Sequence, residues 1–447
     1  MIDSVIHYIR NSQDEALGEL KELIQFPSVA ATGEHLAETA GLVRRMLDTA
    51  GFKTRIHETS GAPVVTGEIN VGARRTLLFY DHYDVQPPDP LALWHTPPFN
   101  PTIREGRLYG RGAADNKGDL LSRIWVLRAF KAAGKKPPVN VRFVVEGEEE
   151  ISSPHLQEFT SKNPKFLTAD GGIWEFGGAG IDEKQELWLG LKGILYVQLE
   201  VERLSHDAHS SLACVLPSAA YRLVWALSTL KDESEHVLID GFYDKVRPLS
   251  IAELAVLSTI DFNEERVREF YGIERFVLGL EADRLKEAYY NAPTCNICGL
   301  DSGYKEAGSK TVLPAKAVAK VDFRLVRDMD PEKVLASLRR HLDSKGFGDV
   351  KIAWHEGYPA AKTPIDHPFV GMVLRASQKA FGHDPVIQIT SPGSGPLHLF
   401  KDFVPMVSTG CGDFTSRVHS PNESIRLDLF EKTMERIAYL MDEMSRW

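Results

Sequence analysis

Residues 117–150 read KGDLLSRIWVLRAFKAAGKKPPVNVRFVVEGEEE, and this stretch decides the fold. Leu120, Leu121, Ile124, Leu127 and Phe130 recur at the interval of an amphipathic helix, which Gly134 ends. Val139–Val145 follows as a mostly apolar strand. A helix passing straight into such a strand is the repeating unit of a largely parallel sheet covered on both faces. The strand then delivers Glu146, Glu148, Glu149 and Glu150 at its carboxyl end, where side chains from different strands of an open α/β sheet converge.

The alternation extends on either side. Residues 14–25 and 37–50 have helical spacing, and β-like stretches follow at 62–70 and 76–80. Near Gly190 the style changes. Leu191–Val201 reads as a strand, Pro217–Leu230 as a helix, and 231–290 as a charged, mainly helical excursion. Thr294–Leu300 and Val312–Val326 return to strands, and Asp330-Pro331 supplies the N-cap and first-turn proline of a helix ending around Gly346. A strand-helix-strand-strand-helix-strand order predicts a compact α+β insert with an antiparallel sheet. After Pro364 the alternation resumes, with a helix at about 368–381, a strand at 403–408 and a helix at 427–446. The expected architecture is an α/β domain in two pieces, 1–190 and 362–447, interrupted by a second domain over 191–361.

A chain of 447 residues is too long for one hydrophobic core, which agrees with two domains. Its 52 basic and 62 acidic residues leave a modest net charge of −10, which argues against nucleic acid or an anionic membrane as partner. No stretch approaches the ~20 apolar residues of a membrane span. The first residues also lack a basic segment followed by an apolar one, so a cytoplasmic protein is expected. Four cysteines are too few for a disulfide framework, and Cys295 and Cys298 read as a plain pair on a strand.

The chemistry lies at the strand ends. His82 and Asp84 follow Thr76–Tyr80, Glu175 follows Gly171–Trp174, and His419 follows the strand near 403–408. Side chains alternate along an extended segment, so His82 and Asp84 share a side, and Asp84 can take the second ring N–H of a ligating His82. The glycine-rich Gly110-Arg111-Gly112 precedes a helix, but Asp115 stands where a pyrophosphate would have to approach. A metal-ligand role suits Asp115 better. Two histidines with several carboxylates match Zn²⁺, and a carboxylate shared by two ions builds a two-metal hydrolytic site. In the acidic run, one glutamate can bind metal while its neighbour moves a proton.

Five ordered motifs carry a resemblance: His82-x-Asp84-Val85-Gln86-Pro87, Gly110-Arg111-Gly112-x-x-Asp115-x-Lys117-Gly118, Glu146-Gly147-x-Glu149-Glu150, Asp207-x-His209-Ser210 and His419-Ser420-x-Asn422-Glu423. In order and approximate spacing they resemble the M20 family of metallopeptidases, over nearly the whole chain. The resemblance implies a zinc-exopeptidase-like catalytic domain with an inserted lid and dimerisation domain. It implies two Zn²⁺, with Mn²⁺ or Co²⁺ as substitutes, one held by His82, Asp115 and Glu175 and the other by Asp115, Glu150 and His419. Glu149 falls at the general base and Asp84 behind the first histidine. His209 matches a lid histidine that reaches the partner subunit's site in family dimers, and Arg324, Gly393 and Ser394 match positions that grip a substrate carboxylate.

The implied activity is exopeptidase cleavage of dipeptides or short peptides with a free carboxylate, by a homodimer joined through the lid. The alternative is removal of the acyl group from N-acyl amino acids. Asp170 competes with Glu175 for one ligand position, and Glu175 is favoured because it ends the strand that Asp170 precedes. Cys298 stands where carnosine-type relatives carry a histidine.

Overall fold

The computed structural model describes residues 2–447. The helix read from 117 to 133 runs Gly118–Ala132, and it is not amphipathic in its setting. All but three of its fifteen residues are buried, because helices Ile2–Asn11, Gln13–Gln25, Leu36–Ala50 and Leu427–Ser445 pack around it. A helix wrapped on every side tolerates apolar residues on every side. The strand that follows, Asn140–Glu146, lies in an eight-stranded sheet.

The order across that sheet is Lys53–His57, Val64–Ile69, Asn140–Glu146, Thr76–His82, Gly171–Trp174, Met406–Ser408, Glu186–Trp188 and Val386–Gln388. Its four central strands, Asn140–Glu146 to Met406–Ser408, are mutually parallel. Antiparallel pairing is confined to the flanks, where Val64–Ile69 and Glu186–Trp188 join. The sheet is therefore mainly parallel at its centre. Register fixes what emerges at the carboxyl edge: His82 lies opposite Glu146, and Trp174, paired with Ser408, leads straight into Glu175.

The chain divides into two compact units. The first comprises the chain up to Gly190 with Lys362–Ile389 and Gly395–Trp447, and the second comprises Leu191–Ala361 with Thr390–Ser394. The short segment Thr390–Ser394 thus groups with the second unit.

The second unit carries a four-stranded antiparallel sheet in the order Asn296–Ser302, Lys316–Leu325, Gly193–Glu202, Lys351–Tyr358. Helices Ala219–Leu227 and Pro331–Ser344 share its apolar core. Asp330 caps the second of them, accepting from Glu332 N at 3.0 Å. Three sequence readings need correction here. The strand expected over Val312–Val326 is split into Val312–Leu313 and Lys316–Leu325, around Pro314, which has no N–H to give a ladder. The helix expected from Pro217 starts at Ala219, since Ser218 takes the cap. The stretch 231–290 is helical only over Ile251–Leu257, Glu264–Tyr271 and Ala282–Asn291, with turns between. No helix among the described residues is long and apolar enough to cross a membrane.

Candidate metal centre

His82 ends the strand Thr76–His82, and both it and Asp84 are wholly buried. The His82 Nδ1 lies 3.3 Å from Asp84 Oδ1, which leaves Nε2 free to face Asp115 Oδ1 at 3.0 Å. From the far side of the same carboxylate, His419 Nε2 lies 3.1 Å from Asp115 Oδ2 and 3.0 Å from Glu150 Oε2. Two imidazoles therefore address opposite oxygens of one aspartate. His82, Asp115 and Glu175 form one group whose ligand atoms all lie within 4.8 Å of one another, and Asp115, Glu150 and His419 form a second.

Asp84 also fixes the acidic turn, accepting from Glu149 N at 3.3 Å and Glu150 N at 3.0 Å. The electrostatics of the cluster are those of unbalanced negative charge. Burial, reinforced by Glu175, Glu150 and Asp115, pushes Glu149 well above the usual carboxylate range, against the opposing pull of His82. Burial likewise pushes Glu175 up to about 8 and raises Glu150, with Asp115 adding to both. Burial works against the charge of Asp115 as well, yet hydrogen bonds to His419 and His82 hold it below the usual range. Hydrogen bonds to Asp115 and Glu150 raise His419 to about 10. Three carboxylates and two imidazoles, with ligand atoms converging on two points and only His419 exposed, have the chemistry of a divalent-cation site, and the donors suit ions of the zinc type.

Asp170 has no place in either group. It precedes the strand Gly171–Trp174, so it sits at the amino edge of the sheet, where it accepts from Arg75 Nη1 at 2.7 Å and Thr76 N at 2.9 Å. Glu175 leaves the other end. Asp170→Asn is accordingly expected to lower the thermal midpoint but leave the cation count unchanged, whereas Glu175→Gln is expected to lose one bound cation. Elemental analysis of the two purified variants reads the difference.

The other site candidates belong to the second unit. Within it Arg324, Gly393 and Ser394 come together. Arg324 Nη1 donates to Ser394 Oγ at 2.8 Å, Ser394 Oγ donates to Gly193 O at 3.1 Å, and Gly393 N donates to Ser391 Oγ at 3.2 Å. Asp322 takes Arg324 Nε at 3.1 Å and the Cys298 thiol at 3.2 Å, so Cys298 borders this network. Its neighbour Cys295 is buried, and both thiols are free. His209 is exposed at the end of the two-residue strand Ala208–His209, with Nδ1 2.8 Å from Ser211 Oγ and Nε2 3.2 Å from Thr311 Oγ1.

The contacts of several supporting residues are not announced by the sequence. Gln86 donates through both its backbone N and its Nε2 to the Glu150 carboxylate. Asn116 Nδ2 donates to Glu175 O at 2.5 Å. The buried Arg123 ties three strand ends together, donating to Tyr80 O at 3.0 Å, Trp174 O at 2.9 Å and Thr409 O at 3.3 Å, while its charge is met by Asp81 at 2.6 Å. Each acts on backbone or on a ligand supplied by another segment, which linear spacing does not encode.

Residues 78–443 match peptidase family M20/M25/M40. The chain belongs to that family. Among curated relatives, this M20 chain is 30% identical over 478 residues to the Cys-Gly metallodipeptidase DUG1 of Saccharomyces cerevisiae, covering 99% of this chain and 98% of the relative. It is 28% identical over 477 residues to human Beta-Ala-His dipeptidase, covering 99% and 92%. Among solved structures, the M20 family metallo-carboxypeptidase Sso-CP2 from Sulfolobus solfataricus superposes with a TM-score of 0.93 at 36% identity, covering 97% of this chain and all of that one. The M20 chain is a metal-dependent peptidase, as its motifs implied.

Proposed function

We propose that this M20 peptidase is an exopeptidase that cleaves the amide bond of dipeptides or short peptides bearing a free carboxylate. The observation that carries the reading is Asp115 shared between two donor groups, with the half-buried Glu149 directly before the ligand Glu150. Bound there, two Zn²⁺ ions, or Mn²⁺ or Co²⁺ in their place, supply polarisation of the scissile carbonyl and acidification of the attacking water. His82, Asp115 and Glu175 would hold one ion, and Asp115, Glu150 and His419 would hold the other. Glu149 takes the proton of the attacking water and returns it to the leaving amine, a role open to a carboxylate that belongs to neither donor group and adjoins the ligand Glu150 in sequence. Asp84 keeps His82 in the tautomer whose Nε2 is a donor to metal.

Arg324, held by Ser394 and Asp322, receives the substrate carboxylate, for which a planar two-pronged guanidinium is well shaped. His209 stabilises the developing oxyanion in the active site of a partner subunit. A homodimer joined through the second unit fits its exposed apolar side chains, with Tyr221, Val224 and Trp225 on helix Ala219–Leu227 and Leu212 and Val215 just before it. Four free cysteines fit the reducing cytoplasm.

A substrate panel tests the activity. Dipeptides with free carboxylates are expected to be hydrolysed, amidated dipeptides to lose most of kcat/KM, and a chelator to abolish turnover that added Zn²⁺, Mn²⁺ or Co²⁺ restores. Preferential hydrolysis of acetylated or succinylated amino acids would move the chain to the deacylase reading. The dimer has its own test. Mixing His209→Ala protein with a Glu149 variant under subunit exchange is expected to restore up to about a quarter of wild-type activity, through sites that pair an intact base with a partner's histidine. No recovery in the mixture contradicts action in trans.

A further inference from the structure

Glu423 closes the run His419-Ser420-Pro421-Asn422-Glu423, and it is completely buried. One loop occupies both of its oxygens. Oε2 accepts from Arg111 Nη1 at 2.7 Å and Gly112 N at 2.9 Å, while Oε1 accepts from Ala114 N at 2.8 Å and Asp115 N at 3.0 Å. The backbone adds a fifth bond, from Gly110 N to Glu423 O at 3.0 Å. Nearly consecutive amides wrapped round an anion make a nest, and the turn that forms it depends on Gly112 at φ +83°. A Cβ at that glycine would meet Val85 Cγ1 at 2.6 Å.

The path of the backbone into Asp115 is thus moulded on a carboxylate 308 residues further along the chain. Only an acceptor with two oxygens, each taking two donors, satisfies it. Glutamine would turn an NH₂ toward N–H groups that already donate, leaving buried donors unpaired. The segment that carries Glu423 also contributes His419, but only to the second donor group. The group of His82, Asp115 and Glu175 receives no ligand from it.

We propose that Glu423 is a positioning residue for both cation sites: by gripping the amides of Gly112, Ala114 and Asp115 it sets the direction of the shared carboxylate. The inference rests on reading the two donor groups as cation sites. Its test isolates the group to which the segment lends no ligand. His419→Ala removes a donor from the second site and leaves His82, Asp115 and Glu175 in place, and Co²⁺ binding is followed by visible absorption and calorimetry. Adding Glu423→Gln to that background is expected to weaken the remaining site by about 10- to 100-fold and to change its absorption band. Unchanged affinity and spectrum would overturn the proposal, since Glu423 would then serve only its own segment. Absence of any Co²⁺ binding by His419→Ala alone would overturn the cation reading and this inference with it.

A second measurement needs no variant to fold. In the unmutated, cation-free chain, the amides of Gly112, Ala114 and Asp115 are expected to exchange with deuterium about 100-fold or more slowly than free amides. Unprotected exchange there would equally overturn the proposal.

Discussion

Glu149→Gln is expected to lower kcat by about 10²- to 10⁴-fold while both cations stay bound. The carboxylate lies in neither donor group, so its loss costs no ligand, and the isosteric amide keeps the turn that Asp84 holds through the Glu149 and Glu150 amides. What disappears is the carboxylate oxygen that accepts the proton of the attacking water, which the amide does not replace. KM is expected to change little, because Arg324, not Glu149, takes the substrate carboxylate. Steady-state kinetics beside elemental analysis separates the outcomes. A variant with both cations and normal turnover removes Glu149 as the base, and one that has lost a cation makes it a ligand.

Asp115→Ala is expected to remove both cations and reduce activity to background. The two groups meet only at this carboxylate, with His82 Nε2 on one oxygen and His419 Nε2 on the other. Without it each group keeps two protein donors, fewer than the three that zinc sites of catalytic type employ. Substituting either terminal ligand instead, as in Glu175→Gln, takes a donor from one group alone. Equilibrium dialysis against Zn²⁺ gives the contrast directly. Two cations still bound to the Asp115→Ala chain would mean that the groups are independent.

Most of the catalytic framework is legible in the sequence because it follows local rules. Apolar strands that end at or just before His82, Glu146 and Glu175 declare a parallel sheet, and the alternation of side chains along an extended segment pairs His82 with Asp84. Strand direction also separates Glu175 from Asp170, since only the residue following Gly171–Trp174 reaches the carboxyl edge. What stays hidden is what depends on distant backbone. The roles of Glu423 and Arg123 lie in carbonyls and amides that folding brings to them, and no side-chain pattern announces a backbone partner. Lys53–His57, Glu186–Trp188 and Val386–Gln388 escape for another reason: they are short flanking strands with mixed burial, and their pairing is decided by neighbours already in place. Pro314 is a missed local signal, since its lack of an N–H should have divided the strand read over Val312–Val326.

All of this chemistry depends on a pair of cations clasped around one aspartate. Anomalous diffraction from crystals of the zinc-loaded protein tests it most directly. Two peaks about 3.5–4 Å apart are predicted, one against each oxygen of Asp115, with His82 and His419 on opposite sides. A single peak, or peaks remote from Asp115, would rule out a shared aspartate.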